Sequence, residues 1–265
     1  MSILQPPLRV VQITDPHLFA DPQGRLKGVD TQASFEDCLA LAREEPPELF
    51  LLTGDLVHDE SRAGYQRLCD ALQSLPAPVY CLPGNHDSGP LIGELLNQGR
   101  VHTRRTVHHD DWLFVFLDSS VPGSAAGRLS GSEMAALEER INGNDARHVL
   151  VCVHHNPLPV GSRWLDTMTI ENGEDLVRLC QHHPKVRGIL FGHIHQAFDQ
   201  PLDDLQLIGS PSTCIQFKPH SNEFALEARA PGYRVLELHD NGHIDSRIVR
   251  LEAVPAGLDL GPEGY

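Results

Sequence analysis

The feature that most constrains this chain is a recurrence. Short apolar runs at 8–14, 49–56, 79–82, 112–117, 148–153 and 186–191 are separated by longer amphipathic stretches. The runs are rich in Val, Leu, Ile and Phe, and predict buried strands. The stretches at 32–45, 61–74, 131–141 and 171–182 predict helices, the third capped by Ser132 with Glu133 in its first turn. Repeated β-α order predicts an α/β (α+β layered) fold. After residue 205 the segments 224–229, 233–239 and 244–250 alternate more strictly, and Asp240-Asn241-Gly242 predicts a turn joining the last two. No Gly-, Ser- or Pro-rich linker interrupts the pattern, so one domain is expected over 1–253. The aperiodic tail 254–265 is expected to be loose or draped on the surface.

The ends of the runs carry the chemistry. The first ends in Thr14-Asp15-Pro16-His17, the second in Thr53-Gly54-Asp55, and the third in Pro83-Gly84-Asn85-His86-Asp87. Two later runs end in His154-His155 and Gly192-His193-Ile194-His195. Ligands of α/β sheets bind beyond the carboxyl ends of strands, so these groups are expected to meet. Asp15, His17, Asp55, Asn85, His154, His193 and His195 offer nitrogen and oxygen donors without a thiolate, which suits Mn, Fe, Zn or Co rather than a structural zinc knot. Seven donors exceed what one ion with open positions needs. Two ions sharing Asp55, on the central run, fit better. Such a pair makes a local anion trap and acidifies water.

Composition narrows the partners. The 265 residues carry a formal charge of −15, with 16 histidines against 21 lysines and arginines. That charge argues against a general nucleic-acid binder and against docking on an anionic membrane. The N-terminus has no basic region leading into a long apolar one, and no run reaches membrane-spanning length. Cys38, Cys69, Cys81, Cys152, Cys180 and Cys214 form no CxxC pair and sit mostly among apolar neighbours, as buried reduced thiols would. A cytoplasmic protein is expected. Phosphate-loop, dinucleotide, nucleophile-elbow and zincin motifs are missing from the sequence.

Asp15-x-His17, Gly54-Asp55-(x)3-Asp59, Gly84-Asn85-His86-Asp87, His154 and Gly192-His193-x-His195 resemble, in order and spacing, the calcineurin-like metallophosphoesterase pattern. The resemblance implies a β-sandwich of two mixed sheets flanked by helices. It implies one ion on Asp15, His17, Asp55 and His195, and a second on Asp55, Asn85, His154 and His193. It further implies that His86 contacts the scissile phosphate and helps the leaving oxygen, while Asp87 holds His86. Leu18-Phe19, Leu158-Pro159 with Trp164-Leu165-Asp166, the run 211–219 and Glu263-Gly264-Tyr265 resemble the class III branch of bacterial 3′,5′-cyclic AMP phosphodiesterases. That branch implies hydrolysis of cyclic AMP to 5′-AMP with two metal ions, Fe and/or Mn ahead of Zn or Co. The substrate contacts implied are His17, Asp55, Asn85, His86, His154 and His195, in a monomer or homodimer whose partner is a small cyclic nucleotide. The alternatives are a phosphodiesterase for other cyclic nucleotides or small diesters, and a silent scaffold, which the complete donor set disfavours. A supporting or packing role is expected of His155 ahead of substrate contact, core packing of Trp164 ahead of covering the base, and surface exposure of Lys218 ahead of holding a phosphate or ribose. Asp59 is expected to be solvated or helix-capping as readily as functional. The other ten histidines, His58 among them, are expected to be incidental.

Overall fold

The computed structural model describes residues 6–262. Twelve strands form two six-stranded sheets. They are β1 (Leu8–Ile13), β2 (Leu49–Thr53), β3 (Val79–Leu82), β4 (Val101–His102), β5 (Thr106–His109), β6 (Trp112–Phe116), β7 (His148–Val153), β8 (Val186–Phe191), β9 (Phe198–Leu202), β10 (Leu205–Gly209), β11 (Gly232–Leu238) and β12 (Ile244–Arg250). The first sheet has the order β12-β11-β1-β2-β3-β4 and the second β9-β10-β8-β7-β6-β5. In each the central strands run parallel, while β11, β12, β9 and β5 make antiparallel pairs. Helices α1 (Thr31–Glu44), α2 (Arg62–Gln73), α3 (Gly89–Leu95), α4 (Gly131–Asn142) and α5 (Gly173–His182) connect them.

Strand alternation explains the layering. Successive side chains point to opposite faces, and both faces here are apolar. Val10, Leu49, Leu51, Phe114, Phe116, Leu150, Leu190 and Leu236 fill the space between the sheets. Their neighbours Val11, Ile13, Phe50 and Leu52 pack with Phe35, Leu39, Leu68 and Leu72 of α1 and α2. On the far side Val149, Val151, Val153, Ile189 and Phe191 pack with Leu137, Ile141, Leu176 and Cys180 of α4 and α5. The expected sandwich of two mixed sheets flanked by helices is what forms.

Polar side chains tie the sheets together beneath this core. Gln12 on β1 donates to Thr53 Oγ1 at 2.8 Å and to the Phe191 carbonyl of the other sheet at 3.0 Å. Ser210 donates to Gln12, and Arg234, 1% exposed, reaches Ser210, the Gly209 carbonyl at 2.7 Å and Asp199 at 2.7 Å.

Several local expectations change. Ser130, not Ser132, caps α4: its Oγ accepts from the Glu133 amide at 3.1 Å, and Ser132 Oγ only pairs with Ser130 Oγ at 2.9 Å. Within 224–229 only Leu226–Glu227 pairs, in a ribbon with Gln216–Phe217. The β11–β12 hairpin turns at Asp240–Gly242 as expected. The tail is draped, its Asp259 amide donating to the Lys27 carbonyl at 2.8 Å; Glu263-Gly264-Tyr265 lies outside the described residues. All six cysteines are buried and free, and no described helix is long and apolar enough to cross a membrane.

Candidate metal centre

Five strands deliver their carboxyl ends to one rim of the sandwich, β1, β2 and β3 from the first sheet and β7 and β8 from the second. The chain leaves three of them through strained backbone. Asp15, His17, Asp55, His193 and His195 all have positive φ, between 46° and 64°. L-residues seldom adopt this region, and such strain gathers at functional sites where surrounding structure enforces it. Gly54, at φ 96°, makes the approach possible: a Cβ there would stand 2.4 Å from His154 Nδ1 and 2.7 Å from the Gly84 amide. Gly54→Ala is expected to destabilise the chain by about 2 kcal/mol or more, seen as a melting point lower by at least about 4 °C. A melting curve that overlays the parent's would contradict this.

The side chains then converge. Asp15, His17, Asp55, His154 and His195 are fully buried, and His193 is 4% exposed. His195 Nε2 lies 3.3 Å from Asp15 Oδ1 and 3.3 Å from His17 Nε2, and His17 Nε2 lies 3.7 Å from Asp55 Oδ2. On the other side of Asp55, His154 Nε2 lies 3.3 Å from Oδ2 and 3.2 Å from Asn85 Oδ1. Asp55 thus stands between two groups of donors.

Proton placement tests whether these groups suit a cation. His154 Nδ1 donates to the Thr53 carbonyl at 2.7 Å, and His195 Nδ1 to the Ile215 carbonyl at 2.9 Å. In its neutral form each ring therefore turns an Nε2 lone pair toward the carboxylates, and a main-chain partner of this kind is what orients a ligating histidine. Among the described residues, Asp55 Oδ2 and both ring nitrogens of His193 are buried without a hydrogen-bond partner. Electron-rich atoms facing one another in a buried pocket fit a bound cation. Titration agrees. Burial holds His17 and His193 well below the usual imidazole range, against the pull of Asp55. Burial works to raise Asp55, but His154 and then His17 hold it well below the usual carboxylate range. Burial disfavours charge on His154 too, yet Asp55 lifts it to about 9, so the Asp55 carboxylate draws positive charge to this point of the pocket.

Asp87 braces the loop. Its carboxylate accepts from the amides of Gly84 at 2.9 Å, Leu56 at 3.0 Å and Val57 at 3.1 Å, and from Tyr65 Oη at 2.8 Å. It therefore fixes the His86 loop to the Asp55 loop. Asp55 Oδ1 also accepts from the His86 amide at 3.0 Å.

A model of the family described as calcineurin-like phosphoesterase matches residues 8–197, from β1 through the His193-x-His195 block. The chain belongs to the calcineurin-like phosphoesterase family. It is 38% identical over 264 residues to a Haemophilus influenzae protein named 3′,5′-cyclic adenosine monophosphate phosphodiesterase CpdA, across 98% of this chain and 96% of that one. To the protein of that name from Escherichia coli K12 it is 39% identical over 261 residues, across 97% and 95%. The fold matches a solved dimetal phosphatase from Danio rerio with a TM-score of 0.62 at 16% identity, covering 93% of this chain and 99% of that one. The calcineurin-like phosphoesterase family implies a dinuclear metal site, and the Asp/His clusters of this chain fit one.

Beside the centre of this calcineurin-like phosphoesterase opens a cavity of about 570 Å3. Asn85, His86 and His193 line its inner end, and Trp164, Leu165, Met168 and Phe224 are among the residues lining the rest. Trp164 is half-buried, packed edge-on against Phe217 and Phe224, and Phe217 stacks on His195 at 4.2 Å and 6°. Trp164 therefore has both a packing role and a place on the cavity wall. Lys218 is exposed, and Asp59 accepts from the Ala20 amide at 2.8 Å on the surface, with Ser61 as the cap of α2. His155 is buried, its Nδ1 2.8 Å from Ser119 Oγ, and it lies within ligand reach of His154 and His193.

One expectation is overturned. His58, read as incidental, sits in the centre: its Nδ1 lies 3.1 Å from His17 Nδ1, and its ring stacks on His86 at 4.7 Å and 18°. The spacing to Asp55 gave a weak signal, since the residue three positions beyond a strand-end ligand can still turn back toward it. Periodicity alone does not say which way the ring points.

Proposed function

We propose that the chain hydrolyses 3′,5′-cyclic AMP to 5′-AMP, lowering the cyclic nucleotide inside the cell. Identity to proteins named for that activity, running over 97–98% of the chain, carries this reading. The cavity supports it, with phosphate-directed groups at one end and aromatic and aliphatic surface for a base along its walls.

Asp15, His17, Asp55 and His195 are assigned to one ion, and Asp55, Asn85, His154 and His193 to the other. Fe and/or Mn are the preferred metals by the resemblance, and imidazole, carboxylate and amide donors without thiolate admit Zn or Co as well. When bound, two such ions neutralise charge on the attacking and leaving oxygens and acidify water. The protein groups do the rest. Water adds to phosphorus and gives up a proton as the P–O3′ bond breaks, and His86 gives the departing O3′ a proton, which the one lost by water replaces, or holds it by a hydrogen bond. Asp87 keeps the His86 loop against Asp55 throughout. Buried free thiols support a reducing, cytoplasmic setting.

One preparation tests the reading: metal content measured beside turnover of cyclic AMP, cyclic GMP, 2′,3′-cyclic AMP and bis(p-nitrophenyl) phosphate. Two ions per chain and fastest turnover of cyclic AMP are expected. Faster turnover of another diester moves the chain to a different substrate class, and two bound ions without any turnover favours a scaffold.

A further inference from the structure

At Nδ1, His17 is held differently from His154 and His195. His154 and His195 each aim that N–H at a main-chain carbonyl. His17 Nδ1 instead meets another imidazole, His58 Nδ1, at 3.1 Å. The His17 Nε2 atom faces His195 Nε2 at 3.3 Å and Asp55 Oδ2 at 3.7 Å, so its lone pair belongs there. A neutral His17 then carries its proton on Nδ1 and donates it to His58. His58 must accept at Nδ1 and keep its own proton on Nε2.

The same ring is held on its faces. Phe19 packs at 4.9 Å and 49°, and His86 stacks at 4.7 Å and 18°. His17 in turn meets His86 edge-on at 5.1 Å and 78°. One side chain thus touches both a metal-directed histidine and the histidine directed at the phosphate.

We infer that His58 is a positioning residue that fixes the tautomer and ring plane of His17 by accepting its Nδ1 proton and holds the His86 ring by stacking. The inference rests on the metal assignment proposed above. Elsewhere a carbonyl or carboxylate performs this service for a ligating histidine. Here an imidazole does, and it couples two functions that are otherwise set separately.

The test uses the full chain stripped of metal and titrated calorimetrically with Mn2+, with a thermal melt of every variant. His58→Phe keeps a flat ring between Phe19 and His86 and removes the acceptor. His58→Asn keeps an acceptor at the position of Nδ1 and removes the stack. His58→Ala removes both and carries the titration should the larger Phe ring disturb folding. Phe and Ala are expected to weaken one of two Mn2+ binding steps by about 10- to 100-fold, while Asn stays within about threefold of the parent. In cyclic AMP turnover, Asn is expected to lower kcat with little change in KM. Unchanged Mn2+ binding in the folded Phe or Ala chain overturns the inference, as does an Asn variant weakened as much as Ala. A parent chain that binds two Mn2+ ions and leaves cyclic AMP intact removes the substrate reading alone, because the titration still decides the role of His58.

Discussion

Asp55→Asn is expected to lower kcat/KM for cyclic AMP by about a thousandfold or more and to leave the chain with fewer than two tightly bound ions. The two oxygens of Asp55 do different work. Oδ1 accepts the His86 amide at 3.0 Å, and an asparagine carbonyl can take that hydrogen bond over. Oδ2 lies between His154 Nε2 at 3.3 Å and His17 Nε2 at 3.7 Å, buried and without a hydrogen-bond partner among the described residues. An amide nitrogen there brings protons where lone pairs converge and removes the carboxylate oxygen that lies between His154 and His17. Lewis-acid stabilisation of a transferring phosphoryl group amounts to several kcal/mol, and about 4 kcal/mol corresponds to a thousandfold in rate. Metal analysis and steady-state kinetics on the purified variant decide it. Two retained ions with activity within tenfold of the parent would show that Asp55 does not bridge.

His86→Ala separates chemistry from metal binding. This side chain is outside the proposed donor set, so both ions should remain while kcat falls about 10²- to 10⁴-fold, the usual contribution of a positioned proton donor. Its place supports the role: the ring lines the cavity and stacks on His58, and its amide is tied to Asp55. The leaving group supplies the control. The 3′-oxygen of ribose needs a proton as it departs, whereas nitrophenolate leaves without one. The loss is therefore expected to be much smaller with bis(p-nitrophenyl) phosphate than with cyclic AMP. Equal losses on both would assign His86 to phosphate binding instead, and a loss below about tenfold on cyclic AMP would remove it from the chemistry.

The strands and the main donors were legible because one physical rule governs both. A buried strand must be short and apolar, and polar side chains that follow it at its carboxyl end fall on the rim. Asp15, Asp55, Asn85, His154 and His193 could be placed that way without coordinates. Residues whose position depends on ring direction or on contacts between distant segments could not. His58 lies beyond the strand end, and its plane is set by contacts from distant segments, with Phe19, His17 and His86 among them. Ile215 offers nothing but a carbonyl, yet it orients His195. Gln12 reads as one polar residue in an apolar strand, and only the assembled sheets show it joining Thr53 to Phe191. Helix α3 has no legible period because Gly89, Pro90 and Gly93 interrupt its short pattern, and Pro201 obscures β9, which tolerates it as an edge strand.

The division of the rim between two sheets has a mechanical consequence. Asp15, His17, Asp55 and Asn85 follow strands of one sheet, whereas His154, His193 and His195 follow strands of the other. Ions held by both sets act as rivets across the seam, and opening the sandwich must break them. A ligand bound only by the native state adds about 2.7 kcal/mol of stability at a free concentration one hundred times its dissociation constant. If the proposed ions are held this way, metal supply is expected to set lifetime as well as turnover: withdrawing the ions would loosen the seam that aligns the donors together with the chemistry it serves.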